Sequence, residues 1–281
     1  MQLRVWGRLA AGLIVLLAAV LVTSVSCDGP AGRSAPAPSD SPSATLSRPA
    51  IAWTAVALGD SVTSGYGCGC SAFPDQYAHA ASARYDVPIT MHNLGQGGLT
   101  SGQLLSRLSD SESAESQLVS SADIDLITIG ANDFADQHEA ITQGACLGAG
   151  VKVCTEDELR QLSSNVADII ATIRQRRQGL PTAILITGYW NVFEDGDVAR
   201  ASFPKAGLRA SKDLTAVVNL AIQSAASAAG IDYVDLSGPF TRQTPSSDVT
   251  TLLAPDGDHP NAAGHALIAR TLLSEGLPGL A

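Results

Sequence analysis

Ser61, in the segment Gly59-Asp60-Ser61, is a candidate nucleophile. A serine hydroxyl attacks a carbonyl carbon efficiently only when a base removes its proton and hydrogen-bond donors stabilise the oxyanion that forms. The tripeptide alone is weak evidence, because Asp and Ser are also common in turns and at the starts of helices. A role for Ser61 in catalysis therefore depends on whether other parts of the chain supply the base and the donors.

A candidate base lies near the C-terminal end of the sequence, in the run Asp256-Gly257-Asp258-His259-Pro260. The carboxylate of Asp256 can reach the ring of His259 and fix its tautomer, which leaves the other ring nitrogen to face a serine. Pro260 is expected to end this loop by opening the last helix. The alternative interpretation is an aspartate-rich helix cap. The other histidines have no comparable partner in the sequence, and His265 is expected to be structural.

Candidate oxyanion donors follow two of the apolar runs. The segment Gly130-Ala131-Asn132-Asp133 offers the side-chain amide of Asn132, and Gly97-Gly98 offers an unobstructed backbone N–H. The backbone N–H of Ser61 would be a third donor. The alternative interpretations are a helix cap for Asn132 and a turn for the glycine pair.

These residues must be positioned by the elements that precede them. From residue 51 onward, short apolar runs alternate with longer helical stretches, which is typical of a parallel sheet covered by helices. The predicted strands are 54–58, 89–94, 125–129, 183–187 and 233–236, and the predicted helices are 74–85, 101–108, 156–177, 205–229 and 261–273. This pattern predicts one three-layer α/β/α domain over residues 51–281 with a five-stranded parallel sheet. Loops at the carboxyl ends of such strands converge on one rim, and all the candidate residues fall in such loops.

The amino-acid composition restricts the kinds of molecule that the protein can bind. The chain has 281 residues, of which 45% are hydrophobic, so it can bury a sizeable core. Its formal net charge is -10 and it has no extended basic cluster. Binding to phosphate backbones requires clustered Lys and Arg, so a nucleic-acid partner is not expected.

Taken together, the four segments resemble the SGNH hydrolases, also called GDSL esterases and lipases, which carry four invariant residue types in four sequence blocks. The blocks are similar to Gly59-Asp60-Ser61, Asn93-Leu94-Gly95-Gln96-Gly97-Gly98, Gly130-Ala131-Asn132-Asp133 and Asp256-Gly257-Asp258-His259-Pro260. The resemblance implies a flavodoxin-like fold, Asp256 rather than Asp258 as the triad carboxylate, and no metal or organic cofactor. It also implies Gly98 as the second oxyanion donor. The second block departs from the commonest form of the family, which leaves Gly97 as the alternative donor.

Aromatic residues follow the fourth predicted strand in the run Tyr189-Trp190-Asn191-Val192-Phe193. Because this run also reaches the rim, the side chains of Tyr189, Trp190 and Phe193 are candidates to line an acyl or sugar pocket. The alternative is that they pack partly in the core.

Four cysteines lie beside the predicted rim. Because export favours disulfides, we expect Cys68 to pair with Cys70 and Cys146 with Cys154. The alternative is two bridges between the loops, since four cysteines allow three pairings. A Cys-x-Cys pair can also bind metal, but no flanking residues complete a zinc site.

The first 27 residues are typical of an export signal. Arg4 and Arg8 precede an apolar stretch over residues 9–22, and small residues precede Cys27. The run Ser24-Val25-Ser26-Cys27 resembles a bacterial lipoprotein processing box, which makes Cys27 a candidate lipidation site and leaves a freely secreted form as the alternative. Residues 28–50 are rich in Ser, Pro and Ala, as expected of a disordered linker.

The sequence therefore predicts an exported serine esterase or lipase that forms an acyl-enzyme on Ser61, as a monomer that is secreted or tethered to the outer face of the membrane. The expected substrate is a small-molecule, lipid or glycan ester. A carbohydrate O-deacetylase with the same residues is one alternative. A tethered lipoprotein that binds its ligand without turnover is another.

Overall fold

A parallel sheet of five strands forms the centre of the computed structural model, which describes residues 51–146, 148–193, 195–242 and 248–280. The strands are β1 (Trp53–Gly59), β2 (Ile89–Asn93), β3 (Ile124–Thr128), β4 (Ala183–Thr187) and β5 (Asp232–Val234). They are hydrogen-bonded in the order β2-β1-β3-β4-β5, and each neighbouring pair is parallel. The predicted five-stranded parallel sheet is confirmed.

Of the three inner strands, β3 and β4 are buried at every residue and β1 is buried from its third residue on, whereas β2 and β5 at the edges are only partly buried. Near-continuous runs of Ile and Leu are what a parallel strand requires when helices cover both of its faces. The predicted strand boundaries differ from the observed ones by at most two residues.

Helices follow the strands along the chain. They are α1 (Ser61–Ser64), α2 (Phe73–Tyr85), α3 (Ser101–Ser109), α4 (Ala114–Val119), α5 (Ala135–Thr142), α6 (Ala149–Cys154), α7 (Glu156–Arg177), α8 (Gly196–Ser202), α9 (Lys205–Ala228), α10 (Ser237–Arg242) and α11 (Ala262–Ser274). Helix α2 packs against α11, and α7 packs against α3 and α9. These two groups form the outer layers of a three-layer α/β/α sandwich, as predicted.

The short helices α1, α4, α5, α6, α8 and α10 were not predicted. Each has between four and eight residues, which is too short for a helical period of apolar residues to be recognised. Several of them lie in the loops that surround the candidate catalytic residues.

The order of the strands reverses between β1 and β3. The second strand in the chain lies on one side of β1, and the third lies on the other, with Gly59 paired to Thr128 where both strands end. Such a switch point leaves a crevice outside the carboxyl ends of the two strands, and ligands bind there in open α/β sheets. Ser61 and Asn132 lie directly beyond these two strand ends.

The start of the last helix differs from the prediction. Pro260 does not open α11 but pairs with Leu253 in an antiparallel bridge. Asn261 caps the helix instead, because its side-chain oxygen accepts hydrogen bonds from the backbone N–H groups of Ala263 and Gly264. The segment with His259 is thereby held at both of its ends.

The predicted signal segment 1–27, the linker 28–50 and the lipidation candidate Cys27 lie outside the described residues. The described residues belong to one compact unit. In the ranges that the structure describes, no helix is both long and apolar enough to cross a membrane.

Candidate active site

Ser61 is the first residue of α1 and follows β1 after a single intervening residue. The tight connection depends on Gly59, which has φ +142° and whose Cα faces the carbonyl oxygen of Thr128 so closely that a Cβ atom would collide with it. The intervening Asp60 caps the helix by accepting a 3.0 Å hydrogen bond from the N–H of Val62. Together these contacts present Ser61 at the rim of the sheet.

Asp60, which directly precedes Ser61, is itself fully buried. Its carboxylate accepts hydrogen bonds from the hydroxyls of Tyr189 at 2.5 Å and Thr128 at 3.4 Å, in addition to the Val62 N–H. Burial raises the pKa of Asp60 to about 6, although these hydrogen bonds and the neighbouring His259 lower it. In the sequence Asp60 is recognisable only as part of the motif, whereas the structure shows that it caps the helix that begins with Ser61.

The ring of His259 is held by Asp256. Nδ1 of the ring lies 2.9 Å from Oδ2 of Asp256 and 3.7 Å from Oδ2 of Asp258. The other Asp256 oxygen accepts the backbone N–H groups of Asp258 and His259, each at 3.1 Å. Burial is the largest influence on the pKa of Asp256 and raises it, but these N–H groups and the imidazole outweigh burial and lower the pKa below its ordinary value. Asp256 is therefore an ionised partner that orients the imidazole.

The exposed Tyr66 covers one side of this histidine. The two rings lie 4.9 Å apart at an interplanar angle of 59°. Ser61 and His259 line the same cleft, and within the described residues no hydrogen bond joins the serine hydroxyl to the imidazole. Such catalytic hydrogen bonds are often formed only when the substrate is bound.

Asn132 lies in a 3₁₀ turn (Ala131–Phe134) directly after β3. Its side-chain amide donates a 3.1 Å hydrogen bond to the carbonyl of Leu99, which leaves its second N–H for a ligand in the cleft.

The next residue, Asp133, accepts the backbone N–H of Ser101 at 2.9 Å and also the Ser101 hydroxyl. Burial raises the pKa of Asp133, which these hydrogen bonds from Ser101 lower in part. The pair holds the start of α3 against the Asn132 turn.

Gly97 and Gly98 both line the cleft. Gly98 has φ +76°, and a Cβ added to Gly97 would lie 4.0 Å from the Cβ of Ser61. The flanking backbone is fixed, because Gln96 donates its N–H to Gly59 and accepts the N–H of Leu99. Neither glycine N–H bonds to another described residue, so both are compatible with an oxyanion donor.

The cleft that these residues surround has a volume of about 550 Å³. Apart from the candidate catalytic residues and the glycines, its lining includes Tyr66, Ala131, Ala135, His138, Val192 and Phe193. The lining thus combines apolar side chains with the side chains of Ser61 and His259.

The sequence from 57 to 267 matches the GDSL-like lipase/acylhydrolase family. The chain belongs to this family. It is therefore an ester-hydrolysing enzyme, and the resemblance seen in the four sequence blocks is confirmed.

Solved structures with the fold of this GDSL-like hydrolase include lipases and esterases. The lipase Lip_vut3 from a goat rumen metagenome has a TM-score of 0.65 and 21% sequence identity, covering 82% of this chain and 100% of its own. A phospholipase A1 from Streptomyces albidoflavus has a TM-score of 0.62 at 21% identity, covering 80% and 100%. A variant of the acetylxylan esterase Axe2 from Geobacillus stearothermophilus has a TM-score of 0.55 at 17% identity, covering 80% and 94%. No curated protein sequence matches this chain significantly.

The predicted pocket aromatics of the GDSL-like hydrolase occupy two different environments. Phe193 lines the cleft, but the prediction is wrong for Tyr189 and Trp190, which are fully buried. Trp190 stacks on Phe240 at 4.5 Å between ring centroids. The chain passes through the core directly after β4 and reaches the cleft only at Val192 and Phe193.

Two wall residues of the GDSL-like hydrolase, Tyr66 and His138, were missed by the sequence analysis. Nε2 of His138 lies 3.1 Å from the carbonyl oxygen of Phe193, which links α5 to the loop after β4. Both residues lie in segments without an apolar pattern or a motif, so the sequence contains no signal that distinguishes them.

Both loops beside the cleft carry disulfides, Cys68–Cys70 and Cys146–Cys154, the pairing that the sequence analysis favours. Ligand atoms of Cys68, Cys70 and His265 lie within 4.8 Å of one another. Metals bind cysteine as the thiolate, whereas the sulfurs of Cys68 and Cys70 are joined to each other in a disulfide and are not thiolates.

Nδ1 of His265 accepts the N–H of Phe73 at 3.2 Å, in keeping with the expected structural role of His265.

Proposed function

We propose that this GDSL-like hydrolase is an exported serine esterase that cleaves carboxylic esters through an acyl-enzyme on Ser61. The observation that carries the proposal is the 2.9 Å contact between Nδ1 of His259 and Asp256, in a cleft that Ser61 also lines. With Nδ1–H donated to the carboxylate, the basic lone pair is on Nε2. The histidine is then prepared to accept a proton from a serine hydroxyl.

In the first half of the reaction, Oγ of Ser61 attacks the ester carbonyl while Nε2 of His259 takes the hydroxyl proton. The oxyanion accepts hydrogen bonds from the N–H of Ser61, the N–H of Gly98 and the amide of Asn132, with Gly97 as the alternative to Gly98. The imidazolium donates its proton to the leaving alcohol as the C–O bond breaks. In the second half, water loses a proton to the same imidazole as its oxygen attacks the acyl carbon. The imidazolium then gives this proton to Oγ of Ser61 as the bond between Oγ and the acyl carbon breaks, which releases the acid and restores the serine.

The acyl group is proposed to contact the apolar side chains that line the cleft. Ala131, Ala135, Val192 and Phe193 are the apolar side chains of this lining, and the cleft volume of about 550 Å³ exceeds what an acetyl group needs. This observation favours an acyl chain of several carbons over acetate. The lipase and phospholipase among the structural neighbours are consistent with such substrates.

The test uses p-nitrophenyl esters of increasing chain length, with a fluorophosphonate probe that labels activated serines. We expect hydrolysis of the medium-chain esters, labelling at Ser61, and loss of both in Ser61→Ala. Full esterase activity in Ser61→Ala, or no labelling of the unmodified protein, would contradict the proposed mechanism. Labelling would also exclude a lipoprotein that binds ligand without turnover.

A carbohydrate O-deacetylase is the second candidate function, since it would use the same residues. The structural likeness to an acetylxylan esterase is its support. Release of acetate from acetylated xylan, measured against release of fatty acid from lipid esters, distinguishes the two. Faster turnover of the acetylated glycan would favour the second candidate.

Export is proposed from the signal-like first 27 residues and is supported by two disulfides, which are typical of oxidising compartments. Metabolic labelling with a fatty acid distinguishes the two exported forms. If Cys27 is lipidated, the label is incorporated and Cys27→Ala abolishes it, whereas a freely secreted form incorporates none. The protein is proposed to be a monomer, which size-exclusion chromatography tests.

A further inference from the structure

The hydroxyl of Tyr189 lies between the two backbone segments that carry the nucleophile and the oxyanion donor. It donates a 2.5 Å hydrogen bond to Oδ2 of Asp60 and accepts the N–H of Ala131 at 3.4 Å. Asp60 directly precedes Ser61, and Ala131 directly precedes Asn132. The Tyr189 hydroxyl therefore contacts both the residue before Ser61 and the residue before Asn132.

The backbone of Tyr189 is fixed from the opposite side. Its N–H donates to Oδ1 of Asn219 at 2.9 Å, and its carbonyl accepts from Nδ2 of the same residue at 2.8 Å. Asn219 belongs to the long helix α9, so the tyrosine is held between a strand end and a helix. A side chain whose backbone is held by rigid elements can fix the positions of the residues that it contacts.

Asp60 depends on this hydroxyl. Its Oδ1 has two donors, Val62 N–H and the Thr128 hydroxyl, whereas Tyr189 is the donor to Oδ2. Without the tyrosine hydroxyl, a buried carboxylate oxygen would have no hydrogen bond. The carboxylate would then have to move or take up a proton, and either change would alter the cap that starts the helix of Ser61.

We propose that Tyr189 is a positioning residue that keeps Ser61 and Asn132 at the mutual distance required for attack and oxyanion binding. The proposal rests on the acyl-enzyme mechanism at Ser61. Tyr189 does not line the cleft, so it acts through Asp60 and Ala131 and not on the substrate. Its removal should reduce the rate of the chemical step and leave substrate binding nearly unchanged.

Tyr189→Phe is the principal variant, and Tyr77→Phe is its matched control. Tyr77 is also fully buried, but its hydroxyl has no hydrogen-bond partner among the described residues. We expect Tyr189→Phe to lower kcat by about 10- to 100-fold with KM within about twofold, because small misplacements of reacting groups have effects of this size. The rate of fluorophosphonate labelling should fall in parallel. Tyr77→Phe should leave all three quantities within about twofold of the unmodified enzyme.

A double-mutant cycle with Asp60→Asn adds a readout that general loss of packing would not produce. If Tyr189 acts through Asp60, the effect of Tyr189→Phe on kcat should shrink to less than about threefold in the Asp60→Asn background. Additive effects of the two changes would overturn the proposed route through Asp60.

The outcomes distinguish a failure of the role proposed for Tyr189 from a failure of the proposed function. If unmodified protein is labelled at Ser61 but Tyr189→Phe keeps its kcat, or Tyr77→Phe loses as much, the inference is overturned and the proposed function stands. If the unmodified protein is not labelled, the proposed function fails. If Tyr189→Phe does not fold, Asp60→Asn takes its place, because an amide has a single acceptor oxygen and cannot accept from both the Val62 N–H and the Tyr189 hydroxyl as the two carboxylate oxygens do. An unchanged kcat in that variant would overturn the inference.

Discussion

Oδ2 of Asp256 lies 2.9 Å from Nδ1 of His259, although the two residues are separated by only three positions in a loop without regular structure. The carboxylate is preorganised for this contact, because its other oxygen is held by backbone N–H groups of the same loop. A carboxylate fixed in this way orients the imidazole before the substrate arrives.

Asp256→Asn is expected to lower kcat by about 10³- to 10⁴-fold, because an amide no longer favours the tautomer that leaves Nε2 basic. Asp258→Asn is the matched control, since its carboxylate lies farther from the ring, at 3.7 Å. It should change kcat by less than about threefold. Steady-state kinetics on a p-nitrophenyl ester measure both, and a larger loss in Asp258→Asn would reassign the triad carboxylate.

Asn132→Ala is expected to lower kcat by about 10²- to 10³-fold with little change in KM, because an oxyanion donor acts mainly in the transition state. The variant also removes the hydrogen bond to Leu99, so thermal unfolding must be measured in parallel. A rise in KM at constant kcat would indicate that Asn132 binds the ground state of the substrate instead.

Asp60 should make stability depend on pH. Its pKa is about 6 in the folded protein against 3.8 ordinarily, so between these values the folded state binds more protons than the unfolded state. Stability therefore falls as pH rises through this window, by about 3 kcal/mol in total. Asp60→Asn lacks this titration, so its free energy of unfolding, minus that of the unmodified protein, should rise by about 2 kcal/mol from pH 4 to pH 7. Urea unfolding at several pH values tests this, and a constant difference would mean that Asp60 does not titrate there.

Phe193→Ala should shift the preference of the enzyme toward longer acyl chains, because it removes a large apolar side chain from the cleft lining and so enlarges the cleft. We expect the ratio of kcat/KM for an octanoyl ester to that for a butanoyl ester to rise by about tenfold. Leu220→Ala is the control, since Leu220 is an exposed apolar residue of α9 that does not line the cleft. An unchanged ratio in Phe193→Ala would place the acyl group elsewhere.

The strands and the long helices were predictable because their signals are local. Helix α7 runs from Glu156 to Arg177 as predicted, since it begins with acidic residues, ends with basic ones and has a regular apolar period between them. The four sequence blocks likewise predict Ser61, Asn132, Asp256 and His259 as the candidate catalytic residues. Where strand ends converge, residues far apart in sequence meet at one rim.

The loops were less predictable because side-chain direction there depends on contacts that are distant in sequence. Phe193 reaches the cleft whereas Tyr189, four residues earlier, points into the core, and no periodicity distinguishes them. His265 contacts Phe73 across a separation of 192 residues. Such pairings form only when the helices that carry them are packed.

The sequence by itself determined the layered α/β fold and the identity of the candidate catalytic residues, because apolar periodicity and motif chemistry are properties of short segments. Only the tertiary structure decided that Tyr189 supports the catalytic centre and is not part of the substrate pocket. Its hydroxyl meets Asp60 across 129 residues of chain, and burial makes that hydrogen bond necessary. A buried carboxylate must find its donors wherever the packed strands and helices bring them.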